Sequence, residues 1–216
     1  WLGGKPSLTA RLENRSIELF GSRSFGMSEL QMAAATLAIP SPWGTLAATA
    51  RSFGFSQYRN TQLGIGYARE LRGKTASTAA AGLLLIYDHQ SIAKYSSTGT
   101  VGIVLGGSVR LSPALLLGFQ AANIHRPVNV PASSLRQQLT VGLGYQPTSA
   151  VHFLFDIRKE IRYPLAVNAG LEIRPTDVLA LRIGVATGPR LFTAGIGISP
   201  GAVRGGLAFL YHYALG

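Results

Sequence analysis

The chain contains no cysteine, which excludes disulfides, thiolate metal ligands and cysteine nucleophiles. Charge is scarce: Asp, Glu, Lys and Arg make up 13% of the 216 residues, where a soluble domain typically carries about 25%. Acid is the scarcer sign, with 9 acidic against 20 basic residues and a formal net charge of +11. Long apolar runs are missing. The longest, "AAAGLLLIY" at 79–87, falls well short of the roughly 18 residues that a membrane-crossing helix needs. Segments with a helical apolar period are absent too, which removes the helical fold classes. The basic surplus would suit nucleic acid, but the Arg and Lys residues stand singly between apolar segments and form no stripe, so no nucleic-acid partner is expected. No basic stretch ahead of an apolar run opens the chain at Trp1, so any secretory leader is expected to have been removed already.

What is present is alternation. In "LAVNAGLEIRP", Val167, Ala169, Leu171 and Ile173 face one way, and Asn168, Gly170, Glu172 and Arg174 the other. "VHFLFDIRKE" sets Val151, Phe153, Phe155 and Ile157 against His152, Leu154, Asp156 and Arg158. "LTVGLGYQP" and "LALRIGVA" follow the same rule, and the final segment opposes Val203, Leu207, Phe209, Tyr211 and Tyr213 to Arg204, Gly206, Ala208 and His212. A soluble sandwich would need a second sheet over the oily face and an outer face rich in Lys, Glu, Ser and Thr. Here the polar face is dominated by glycine, which leaves space for long side chains inside a narrow barrel. Each segment is near the 9 to 11 residues of a tilted transmembrane strand.

These features predict an all-β fold: a closed antiparallel transmembrane β-barrel of about 12–14 strands, integral to the outer membrane of a Gram-negative bacterium. It would occupy residues 29–216, and 1–28 would be an N-terminal segment acting as a plug or a first strand. From Leu30 onward the turn signals separate about twelve strands. Val167, Leu171, Ile173, Phe153 and Phe155 would face lipid. His152, Asp156, Arg158, Glu172, Arg182, Arg204 and His212 would form an inward charge network, with Glu172 and Arg182 as cross-strand partners. That network either plugs and stiffens the barrel or lines a selective pore. Trp43, Tyr67, Tyr87, Tyr145, Tyr163, Tyr211 and Tyr213 fall near strand ends, where headgroup-level aromatic girdles are expected. Tight connections such as "SPWG", "LSP", "QPTS", "RPTD" and "SPGA" alternate with mostly longer ones, as periplasmic turns alternate with extracellular loops. On that orientation the last strand ends outside, which predicts a further strand beyond "YHYALG". The longer connections carry Arg59, Lys94, Arg126, Arg162 and Arg190, which would meet lipopolysaccharide phosphates or an extracellular partner.

No cofactor and no metal are expected. His125, His152 and His212 are single and far apart in sequence. "GLGYQP" is no nucleotide loop, because its glycines share a strand face and no helix follows. His89 and Ser91, two apart in "YDHQSIAKY", are the one hydrolase lead, but the sole nearby acid, Asp88, points to the opposite face.

The stretches "QLGIGYAREL", "NIHRPVNVPASSLRQQLTVGLGYQP", "LFDIRKEIRYPLAVNAGLEIRP", "LALRIGVATGPRLFTAGIGI" and "YHYALG", in that order, resemble the outer-membrane barrels related to the long-chain fatty acid transporters. Within that family the likeness is to the accessory barrels of the type IX secretion system. The resemblance implies a non-enzymatic accessory or structural subunit with a larger outer-membrane protein as partner. Transport of a hydrophobic or small solute is the alternative, and lipid hydrolysis a third reading.

Overall fold

The computed structural model of the chain describes residues 10, 12, 14–72, 78–123 and 136–212. They form thirteen strands whose hydrogen-bonded order is their chain order. These are β1 (Ser16–Arg23), β2 (Gln31–Ser41), β3 (Gly44–Gly54), β4 (Tyr58–Arg72), β5 (Thr78–Ile92), β6 (Ser96–Ser112), β7 (Leu115–Ala122), β8 (Gln138–Thr148), β9 (Val151–Glu160), β10 (Ala166–Ile173), β11 (Leu179–Thr187), β12 (Arg190–Ile198) and β13 (Gly205–His212). Twelve begin after Leu30, and the segment before them contributes β1, which pairs with β2 from Ser16↔Ala38 to Arg23↔Gln31. Two short 3-10 turns, Ser24–Gly26 and Ser28–Leu30, join this pair. Among the described residues the order runs without a crossover from β1 to β13.

Contacts divide the chain into two units. The first comprises Trp1–Lys74, Thr78–Ser108 and Gln120–Gln137. Its register builds one apolar row, Ile17↔Leu37↔Ala48↔Ile65↔Leu85, across five strands. The neighbouring row on the opposite face reads Glu18↔Thr36↔Thr49↔Gly64↔Ile86. The burial runs opposite to that of a soluble protein. Ile17 is 75% exposed and Ile65 67%, while Thr36 is 2% exposed and Ala38 fully buried. Small side chains pack the polar face, and large apolar ones stand outward.

The second unit comprises Thr75–Ser77, Val109–Phe119 and Gln138–Gly216 and follows the same plan. One row across its strands is Tyr145↔Phe153↔Leu171↔Ile183↔Ala194↔Phe209. The row on the other face is Gly144↔Leu154↔Gly170↔Gly184↔Thr193↔Leu210. Phe209 is 69% exposed. Apolar patches of more than a few hundred Å² are not left to water and imply a covering medium or partner.

The connections differ from the expected alternation. The turns at 42–43, 113–114 and 149–150 are tight, but so are 55–57, 93–95 and 188–189, which were expected to be longer with the exception of the last. The strands simply run on: "HQSI" continues β5, because its backbone stays paired with Tyr58–Thr61 of β4. Arg59 and Arg190 therefore lie in strands, not loops; Lys94 sits in the 93–95 turn at φ 68°, and Arg162 in the 161–165 connection. Arg126 and Tyr213 lie outside the described residues. So does His125. The last strand starts at Gly205, so Val203 and Arg204 belong to the preceding 199–204 connection.

Gly54 shows why one turn needs glycine. It ends β3 at φ +107°, and a Cβ there would run into the Tyr58 carbonyl that accepts the Phe55 N–H. An L side chain meets both the backbone penalty and that clash.

Candidate functional site

The charged groups of the second unit converge on one carboxylate. Glu172 of β10 stands opposite His152 of β9 and Arg182 of β11. The Arg182 Nε donates to Glu172 Oε2 at 2.6 Å, and the Arg174 Nε donates to Oε1 at 2.8 Å. His152 Nδ1 lies 3.8 Å from Oε1. Two guanidinium groups therefore hold one carboxylate, whose side chain is 14% exposed while those of Arg174 and Arg182 are 45% and 50% exposed. The bonds are charge-assisted, and their outer members remain within reach of solvent.

Glycine makes room for this arrangement. The Arg182 guanidinium passes over Gly197 of β12 so closely that a Cβ there would lie 2.8 Å from Nη1. Gly206 of β13 is the next floor position, with a virtual Cβ 3.6 Å from the same nitrogen. The glycines that the sequence places on the polar face thus serve as the bed on which a long side chain lies flat.

Two further clusters share this chemistry. Asn168 donates to Asp156 Oδ1 at 2.6 Å, one step along the strands from Leu154. Arg158 donates to the Gly188 carbonyl at 2.7 Å, which makes it a tether for the 188–189 turn and not an ion-pair member. In the first unit, Asp88 accepts from Asn60 at 2.6 Å on one oxygen and from Gln62 at 2.6 Å on the other. Sequence reading missed this cluster, although Asn60 and Gln62 are two apart on one strand face. Asp88 itself carried the only other signal.

Of the expected network, then, His152, Glu172 and Arg182 come together, joined by Arg174. Asp156 and Arg158 sit on the same face with partners of their own. Arg204 lies off the strand in the 199–204 connection, and His212 ends β13 opposite Leu191. Phe153, Phe155 and Ile173 are exposed on the apolar face at 46%, 42% and 41%, with Val167 and Leu171 half-buried beside them. Among the aromatic residues, the Tyr67 hydroxyl donates to the Trp43 carbonyl at the tight 42–43 turn, and Tyr145 stacks on Phe153. Tyr163 is exposed in the 161–165 connection, and Tyr211 lies one residue from the end of β13. Tyr87 lies within β5, opposite Leu63, and stacks on His89. Among the described residues no group of three or more His, Asp or Glu is placed to hold a metal ion.

No protein-family model matches the chain, and no curated protein matches it. Among solved structures it is similar to a KdgM porin in complex with disordered oligogalacturonate, at 11% identity and a TM-score of 0.46. It is likewise similar to a KdgM porin at 11% identity and a TM-score of 0.47. In both cases the similarity covers 80% of this chain and 87% of the other.

Proposed function

We propose that the chain is an outer-membrane β-barrel that passes small polar solutes along its glycine-lined charged face, without catalysing a reaction. The observation that carries this reading is the inverted amphipathicity of both units: large apolar side chains stand exposed on one face, while the opposite face holds small residues and paired charges. Lipid covers the first kind of face at no cost, since each large apolar side chain removed from water contributes about 1.5–3 kcal/mol. The second face is wet, because half of the Arg182 side chain remains exposed despite its ion pair. Buried charges must be paired or hydrated, and here they are both.

Two features support a non-enzymatic role. Asp88 faces away from His89 and is engaged by Asn60 and Gln62, so the His89–Ser91 pair has no acid to orient it. The charges of the second unit are held by one another, as in a lining, and not poised against a nucleophile.

The test is single-channel recording of protein folded into planar bilayers, with folding confirmed by heat-modifiable gel mobility. Steady conductance, together with uptake of small sugars by proteoliposomes, is expected. Folded protein that neither conducts nor admits solute, yet co-purifies from envelopes in fixed stoichiometry with a larger outer-membrane protein, overturns transport in favour of the accessory-subunit role.

A further inference from the structure

The apolar face of the first unit is not uniform. Where Ala35 pairs with Ala50 and Leu37 with Ala48, the row of large side chains drops to methyl groups. The result is a trough of about 670 Å³ walled by Ile17, Leu63, Ile65, Leu85, Tyr87 and Val101. Moving along the strands from this trough, the same face changes chemistry within two residues, a step of about 7 Å. Ser52, Thr61 and His89 then stand side by side on β3, β4 and β5, and Arg59 and Ser91 pair one step further on. Tyr87 links the two zones, forming a wall of the trough and stacking on His89 with ring centres 6.3 Å apart.

Charge pairing separates this end of the face from the polar face. Arg174 and Arg182 share the Glu172 carboxylate as counter-charge. Arg59 is exposed, and no carboxylate of β3, β4 or β5 shares its face, since Glu70 and Asp88 both point to the other side. A cation, an imidazole and three hydroxyls at the mouth of an apolar trough form an amphiphile site that lacks only an anion.

We infer that this face binds one anionic glycerophospholipid, one of its two acyl chains in the Ala35–Ala48–Ala50 trough and its phosphate against Arg59, His89 and the hydroxyls of Ser52, Thr61 and Ser91. A single trough and a single cation in the row match a lipid with one phosphate rather than the many chains and paired phosphates of lipid A. The inference rests on the membrane placement proposed above but not on conductance.

The experiment is native mass spectrometry of the folded chain in mild detergent with equimolar palmitoyl-oleoyl phosphatidylglycerol and phosphatidylcholine. One phosphatidylglycerol is expected to be retained in preference, about fivefold for a single cation at a membrane surface. Arg59→Gln should remove the preference and Arg59→Lys keep it. Ala50→Leu, which fills the trough, should lower retention of both lipids. None of these changes touches the charged lining, so heat-modifiable mobility and conductance should hold in all three. Equal retention of the two lipids by the parent chain, preference unchanged in Arg59→Gln, or, on adding equimolar lipid A to the same mixture, displacement of phosphatidylglycerol would each overturn the assignment. Loss of conductance with the lipid preference intact would count against transport alone; failure of the chain to enter vesicles would sink both.

Discussion

Glu172 is the residue on which most of the charged face depends. Replacing it with Gln leaves Arg174 and Arg182 without a counter-charge on a face that already carries Arg158. In planar bilayers under a salt gradient, Glu172→Gln is expected to shift the reversal potential towards anion selectivity, and Arg182→Gln to shift it the other way. An unchanged potential in both would remove the cluster from the conduction path. The cost in stability should be small, about 1 kcal/mol, because the arginine ends of the pairs are half exposed. Gly197 matters for a different reason. A Val there would meet the Arg182 guanidinium within 3 Å, so Gly197→Val should destabilise by about 1–3 kcal/mol in urea titrations and alter selectivity in the same sense as Arg182→Gln. Glycine on this face provides volume rather than backbone freedom. Gly54 is the converse, and Gly54→Ala is expected to cost about 1–2 kcal/mol through its positive φ and the Tyr58 carbonyl.

At the scale of the strand, the alternation assigns each position a solvent. Ile183, half exposed in the middle of β11 between Leu171 and Ala194, faces the proposed lipid; Ala186 three residues on faces the polar side, opposite Asn168. Ile183→Arg should therefore cost about 2–4 kcal/mol in vesicle-folding titrations, and Ala186→Arg far less. Equal penalties at the two positions would count against the assignment of faces. Strand length follows the same physics: β5 continues through His89 and Ser91 because their partners Thr61 and Arg59 continue the ladder, so polarity did not end the strand.

For the whole molecule, the reversal of faces in both units decides which solvent the folded chain needs. Folded protein is expected to stay dispersed in detergent or lipid and to sediment when detergent is removed. Folded protein that stays monomeric in detergent-free buffer would reject the membrane placement.

The sequence alone determined the strand grammar: an all-β antiparallel fold, with the thirteen strands of the described residues inside the expected 12–14, and two alternating faces along each strand. Period-2 alternation is a local property, so a slip of one residue would have exchanged the faces and been visible. The Glu172–Arg182 pairing was legible for the same reason, since it follows from counting outward from a single turn. What the sequence misassigned were ends: the extents of β5 and β13, the placing of Arg59 and Arg190 in loops, and the alternation of short and long connections. Polar residues at a strand end read like a loop, and only the partner strand decides whether the ladder continues. Tertiary structure alone laid Arg182 across Gly197, gathered Asn60 and Gln62 onto Asp88 and hollowed the alanine trough, because each of these depends on the register between paired strands, which no local pattern encodes.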